Sequence, residues 1–143
     1  MRNPNEVAIF VHRHDRHLVL RRVDRQIWHV VAGVVEPGES FPTAAARELA
    51  EEAGLVAPIV DLETPQRYVV EDEYRALYAP DVTEVLIHSF VARAPATWEP
   101  VLNEEHDIYR WCTLAEAVEL LHWAEAKEVL RALSLRLDRP GLI

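Results

Sequence analysis

Five glutamates and one arginine stand between Glu36 and Glu52, and Glu48, Glu51 and Glu52 recur at helical neighbour spacing. At 100° per residue these three share about a third of a helix circumference, whereas Ala46, Leu49, Ala50 and Ala53 take a separate apolar arc. Like charges so spaced cost about 0.2–0.5 kcal/mol per pair, and a face selected for stability alone would interleave lysine. Charge runs are usually solvated helix faces, but two features set this one apart. A glycine-bearing loop, with Gly33 and Gly38, lies just before it and can bring backbone carbonyls to the same edge. Ala44 on that edge leaves room for a ligand. Hard oxygen donors converging from helix and loop suit Mg²⁺ or Mn²⁺, which keep part of their water and bind phosphates opposite the carboxylates. Arg47 stands four residues before Glu51, within reach of its carboxylate.

The elements that must position this set are legible around it. Residues 40–53 are rich in Ala, Leu, Glu and Arg, with Ser40 as N-cap, Pro42 in the first turn and Gly54 as the stop, so the spacing predicts a helix. Upstream, 6–12 and 17–23 read as a hairpin around His14-Asp15-Arg16, and 27–31 is a further short apolar run leading to Gly33. Downstream, 55–62, 67–70, 84–93 and 108–112 read as strands. Thr113-Leu114-Ala115-Glu116 has capping-box spacing. Leu114, Val118, Leu121, Val129, Leu130, Leu133 and Leu137 then keep a helical period to the end. This order describes an α+β domain with helices packed on a mixed sheet, and 143 residues fit a single domain, 1–143.

Charge and composition narrow the chemistry. Twenty-four acidic against fifteen basic residues leave a formal charge of −9, which disfavours a stable nucleic-acid complex and accords with a cation bridging the protein to an anionic substrate. The single cysteine, Cys112, cannot form an intrachain disulfide or a thiolate zinc site and reads as a small buried hydrophobe. No run suits a signal peptide or membrane span, so the expected location is the cytoplasm, away from any membrane.

Gly33 to Leu55 resembles a complete Nudix box, G-x5-E-x7-R-E-U-x-E-E-x-G-U with U aliphatic. Gly33, Glu39, Arg47, Glu48, Glu51, Glu52 and Gly54 fill the fixed positions, and Leu49 and Leu55 the aliphatic ones. The resemblance implies a Nudix fold, a mixed sheet sandwiched between helices (α/β/α), and hydrolysis of a phosphoric anhydride in a nucleoside diphosphate-linked substrate. Carried over by position, it implies that Glu51 and Glu52 are metal ligands, that Glu48 binds metal or serves as base, and that Arg47 orients the glutamates. Ala32 would contribute its main-chain carbonyl to the metal. Glu39 would stabilise the loop–helix junction, where a carboxylate is favoured. Some members use a loop glutamate as base, which makes Glu104 and Glu105 of Asn103-Glu104-Glu105-His106 candidates, with Glu105 favoured as a further ligand or base. Where the family commonly carries Gly-Gly, this chain has Gly33-Val34.

Outside the box, Trp28 to Ser40, Tyr78 to Thr83, the run to Phe90 and Glu105 to Trp111 are similar to bacterial dihydroneopterin triphosphate pyrophosphatases. This implies release of pyrophosphate from a pterin or nucleoside triphosphate with Mg²⁺ as cofactor and Mn²⁺ as substitute. Dinucleoside polyphosphate or oxidised-nucleotide hydrolysis would use the same box. A non-catalytic nucleotide-binding module is the alternative of another class, although such modules typically lose box residues. Trp28, Tyr68, Tyr74, Tyr78 and Trp111 are available as platforms for a base, and Arg67, Arg75 and Arg93 as phosphate contacts. His12, His14 and His17 lie near a hairpin tip, where alternating positions normally face solvent, and make a poor zinc set.

Overall fold

Val7 to Val11 is an unbroken buried run, as expected of a strand covered on both faces. It belongs to β1 (Asn5–Arg13) of the computed structural model, which describes residues 1–138. Residues alternate sides along this strand. Val7, Ile9 and Val11 join a core with Leu20, Val31, Leu49 and Phe90, whereas Ala8 and Phe10 join a second core with Val19, Val91, Leu130 and Leu133. The first core lies under α1 (Phe41–Ala53), the second under α2 (Leu114–Leu120) and α3 (Ala124–Leu137), which gives the α/β/α layering.

The sheet is mixed because β1 pairs in parallel with β7 (Glu84–Arg93) at its centre. Each of these strands takes two antiparallel partners on its outer edge. β4 (Val31–Val34) meets the first half of β1 and β2 (Arg16–Arg22) meets its end. β6 (Gln66–Val69) meets the first half of β7 and β5 (Ile59–Asp61) its second. β2 also pairs with β3 (Trp28–His29) and with β8 (His106–Cys112). Because β4 departs from β2 along β1, its outer edge is open to α1.

Local chemistry holds α1 in place. The Ser40 hydroxyl accepts the Thr43 N–H at 3.2 Å, and Gly54 closes the helix at φ 72°, a left-handed conformation that favours glycine. Other expectations are amended. The strand expected over 55–62 is confined to Ile59–Asp61, since Leu55 turns into the α1 core straight after the cap. The helical period of the C-terminal third belongs to two helices, because β3 captures the chain between them: His122 N–H donates to the Trp28 carbonyl at 3.0 Å. A 3-10 segment over Asp72–Leu77 carries no apolar period and was not expected. His12 and His17 do not face solvent. They stand opposite each other across β1 and β2 and are buried, leaving His14 exposed at the turn. No helix among the described residues is long and apolar enough to cross a membrane.

Candidate metal and phosphate site

The buried face of α1 consists of Ala44, Ala45, Glu48, Leu49, Glu52 and Ala53. Two of the three glutamates on the acidic edge therefore point into the protein. Glu48 is 8% exposed and Glu52 3%, whereas Glu51 is exposed. Ala46 and Ala50, expected on the apolar arc, face solvent. Ala44 is fully buried in the core and opens no space for a ligand. Helical periodicity groups these residues correctly, but the direction of the group is set by the sheet.

The edge of β4 meets this face with main-chain groups. Val35 N–H donates to the Asn5 carbonyl at 2.9 Å, so in the alternating antiparallel ladder Gly33–Val7 is also a bonded pair and Ala32–Ala8 and Val34–Glu6 are not. The polar groups of Ala32 and Val34 consequently point away from β1. Ala32 N–H donates to Glu52 Oε1 at 3.2 Å, and the Val34 carbonyl accepts from Arg47 Nη2 at 3.0 Å. The Ala32 carbonyl leaves the strand on that same edge. Between them, the Glu48 side chain lies across Gly33, where any Cβ would overlap its carboxyl group. Close approach explains this glycine. Val34, in place of a second glycine, continues the strand.

Arg47 joins the loop to the helix. Its Nε and Nη2 donate to the two oxygens of Glu39 at 2.8 and 2.9 Å, and its Nη1 donates to Glu48 Oε1 at 2.8 Å. The contact expected from helical spacing, Arg47 to Glu51, is the longest of these hydrogen bonds at 3.3 Å. Glu39 also accepts the Glu36 N–H at 2.9 Å, which closes the loop ahead of α1. These donors, Arg47 first, hold the Glu39 carboxyl down at about 2.

Glu52 has the opposite environment. Burial, then the neighbouring Glu48 carboxylate, with a smaller contribution from Glu105, push it up to about 10, against the Ala32 N–H that favours the anion. Burial likewise raises Glu48, with Glu52 and Arg47 opposing, and the two carboxyls titrate as a pair. The connection from β7 to β8 brings in further donors. One ligand atom each from Glu52, Glu105 and His106 lies within 4.8 Å of the others. Glu52, buried beside other carboxylates with a backbone N–H as its one hydrogen-bond donor among the described residues, fits a ligand of a divalent cation, which would favour the charged forms. Glu48, Glu52, Glu105 and the Ala32 edge thus come together. Glu51 stays on the exposed side beside Arg47.

From the carboxylates a cleft of about 710 Å³ runs over β1 and β7 toward α3. Tyr68, Tyr74 and Tyr78 line it as expected, while Trp28 and Trp111 pack against the two cores. Trp123 and His29 line it as well, their rings edge to face at 4.8 Å, and neither carried a motif that marked it. The arginines of the cleft are Arg2, Arg22 and Arg47, not Arg67, Arg75 or Arg93. Arg93 borders a separate hollow beside Arg13 and His14.

Known proteins share this fold. The family model described as "NUDIX domain" matches residues 2–133. The dihydroneopterin triphosphate diphosphatase of Escherichia coli K12 is 31% identical over 127 residues, covering 83% of this chain and 84% of that one. The structure of the E. coli dihydroneopterin triphosphate pyrophosphohydrolase superposes with a TM-score of 0.86 at 26% identity, over 94% of this chain and 97% of that one. A third relative, an octanoyltransferase of Myxococcus xanthus, is 34% identical over 115 residues. There the match spans 80% of this chain but 30% of the relative's length. The chain belongs to the NUDIX family and is a Nudix hydrolase.

Proposed function

We propose that this chain is a Mg²⁺-dependent pyrophosphohydrolase that releases pyrophosphate from dihydroneopterin triphosphate or a nucleoside triphosphate. The observation that carries the reading is the convergence of Glu48 and Glu52 from the inner face of α1 with Glu105 from the β7–β8 connection, at the head of a cleft large enough for a heterocycle. Likeness to the E. coli diphosphatase over 83% of this chain and 84% of that one supports the pterin substrate.

A divalent cation bound at this position would supply neutralisation of phosphoryl oxygens, activation of water and stabilisation of the leaving diphosphate. The protein's part is to hold and orient. Glu52, Glu48 and the Ala32 carbonyl would hold the cation, with Arg47 fixing Glu48 and the loop, while Glu51 stands on the exposed side of α1, outside this set. Glu105 would complete the ligand set or take the proton of the attacking water. As water adds to phosphorus, the bridging P–O bond breaks, its electron pair leaves with pyrophosphate and the water's proton passes to a carboxylate. Tyr68, Tyr74 and Trp123 would bound the heterocycle.

The test is a turnover screen with and without Mg²⁺ over dihydroneopterin triphosphate, nucleoside triphosphates, diadenosine polyphosphates and nucleotide sugars, with products identified. Metal-dependent pyrophosphate release, fastest from dihydroneopterin triphosphate, is expected. Preference for a dinucleoside polyphosphate would replace the substrate assignment, and binding without turnover across the panel would replace the enzyme reading by a binding module.

A further inference from the structure

We propose that His106 supplies a ring nitrogen to the divalent cation that Glu52 holds, so that the site binds Mn²⁺ and Co²⁺ more tightly, relative to Mg²⁺, than oxygen donors alone would. The inference rests on the cation site of the proposed function and concerns which cations it takes.

His106 is 7% exposed, and its Nδ1 is buried with no hydrogen-bond partner among the described residues. A buried polar atom left unpaired costs about 1–3 kcal/mol, and such atoms are few in folded proteins. A neutral imidazole keeps one nitrogen lone pair, and a ligand atom of this ring stands within 4.8 Å of carboxylate oxygens of Glu52 and Glu105. The acidic pair is thus joined by a buried side chain of a different donor type.

The backbone shows how the ring is brought there. Along β8, Ile108 pairs with Arg21 and His106 with Arg22, so two residues of β8 answer one step of β2 and Asp107 is the extra one. Bulges of this kind re-aim side chains. In a regular strand His106 would share a face with Ile108 and Arg110, both exposed; here it is buried. Contacts on either side fix the distortion. Arg21 clamps Asp107 with two bonds of 3.0 and 2.7 Å, Val23 N–H donates to the Glu105 carbonyl at 3.0 Å, and Asn103 Oδ1 accepts the Glu105 N–H at 3.1 Å. Imidazole suits transition metals, whereas Mg²⁺ prefers oxygen, so a nitrogen in the set shifts selectivity without excluding Mg²⁺.

Pulsed electron paramagnetic resonance on the Mn²⁺-loaded wild-type protein reads the bond directly, with Mn²⁺ binding followed by water-proton relaxation. Nitrogen modulation from a coordinated imidazole is expected, and its loss in His106→Gln. That variant should weaken Mn²⁺ binding by about tenfold and Mg²⁺ binding by less than about threefold. Wild-type protein with Mn²⁺ bound but no nitrogen modulation overturns the proposal and leaves the hydrolase reading standing; this arm needs no variant. Modulation that persists in folded His106→Gln also overturns it. Failure of the wild-type protein to bind Mn²⁺ or Mg²⁺ overturns both.

Discussion

Glu39 and Glu52 sit on either side of Arg47, and their surroundings are opposed. Glu39, in the loop, receives Nε and Nη2 of the guanidinium and a backbone N–H, and its carboxyl is held at about 2. Glu52, on the inner face of α1, receives one backbone N–H, faces other carboxylates and is pushed up to about 10. The chain supplies a positive partner to the glutamate that shapes the loop and none to the glutamate that faces the cleft. A residue whose charge is satisfied within the fold is structural; one whose charge must be satisfied from outside is available for a ligand.

The strongest challenge to this contrast is Glu52→Gln. Turnover should fall by about 10²–10³-fold, while the metal-free protein should lose no stability, because a neutral amide replaces a carboxyl that the fold keeps protonated. The pH dependence of the melting temperature in EDTA checks the second half. Glu52, raised in the folded state, contributes stability in full below the ordinary carboxylate value of 4.5, and this is lost as pH climbs toward about 10. Glu39, depressed, contributes above 4.5 and loses that contribution as pH falls toward about 2. Glu52→Gln should flatten the alkaline limb and Glu39→Gln the acid limb. An alkaline limb unchanged in Glu52→Gln would contradict the assignment.

A smaller effect is expected of Gly33→Ala, which drives a methyl group into the Glu48 carboxyl. Overpacking should cost about 1–3 kcal/mol, and displacement of Glu48 should lower turnover by about 10–100-fold, read from denaturant melts and steady-state rates. Smaller again is Arg47→Lys, which keeps the charge but cannot engage Glu39 and Glu48 as a fork. A loss of about tenfold in turnover, with Mn²⁺ affinity nearly unchanged, would mark Arg47 as a positioning residue. An equal loss of affinity would show that it shapes the cation site itself.

Much of this could be read along the chain. The caps at Ser40 and Gly54, the acidic edge of α1, the box identities and the α+β order are local patterns, and local patterns survive folding when neighbours reinforce them. Other features could not be read so. Both ends of α1 are signalled, but its faces are not: periodicity puts Ala46 and Ala50 on the apolar arc although they face solvent, and Ala44, which does share the edge of Glu48 and Glu52, is packed in the core instead of leaving room for a ligand. Apolar content alone does not say which edge a sheet will cover when two glutamates belong to the buried one. Spacing within the helix pointed Arg47 at Glu51, while the nearer partner, Glu39, lies across a loop.

The cleft shows the same division at longer range. Glu105 was marked by its place in the chain, but Trp123, His29 and Arg22 line the cleft from elements that meet only through β2, β3 and the α2–α3 break. The burial of His106 depends on a register shift against β2, a property of two paired strands. Composition and periodicity therefore settle which donors the chain possesses and which helix carries most of them, because those depend on residue type and a local repeat. Which donors face one another, which are stripped of water and which are left without a partner depend on contacts between residues distant in sequence, and those exist only once the sheet has formed.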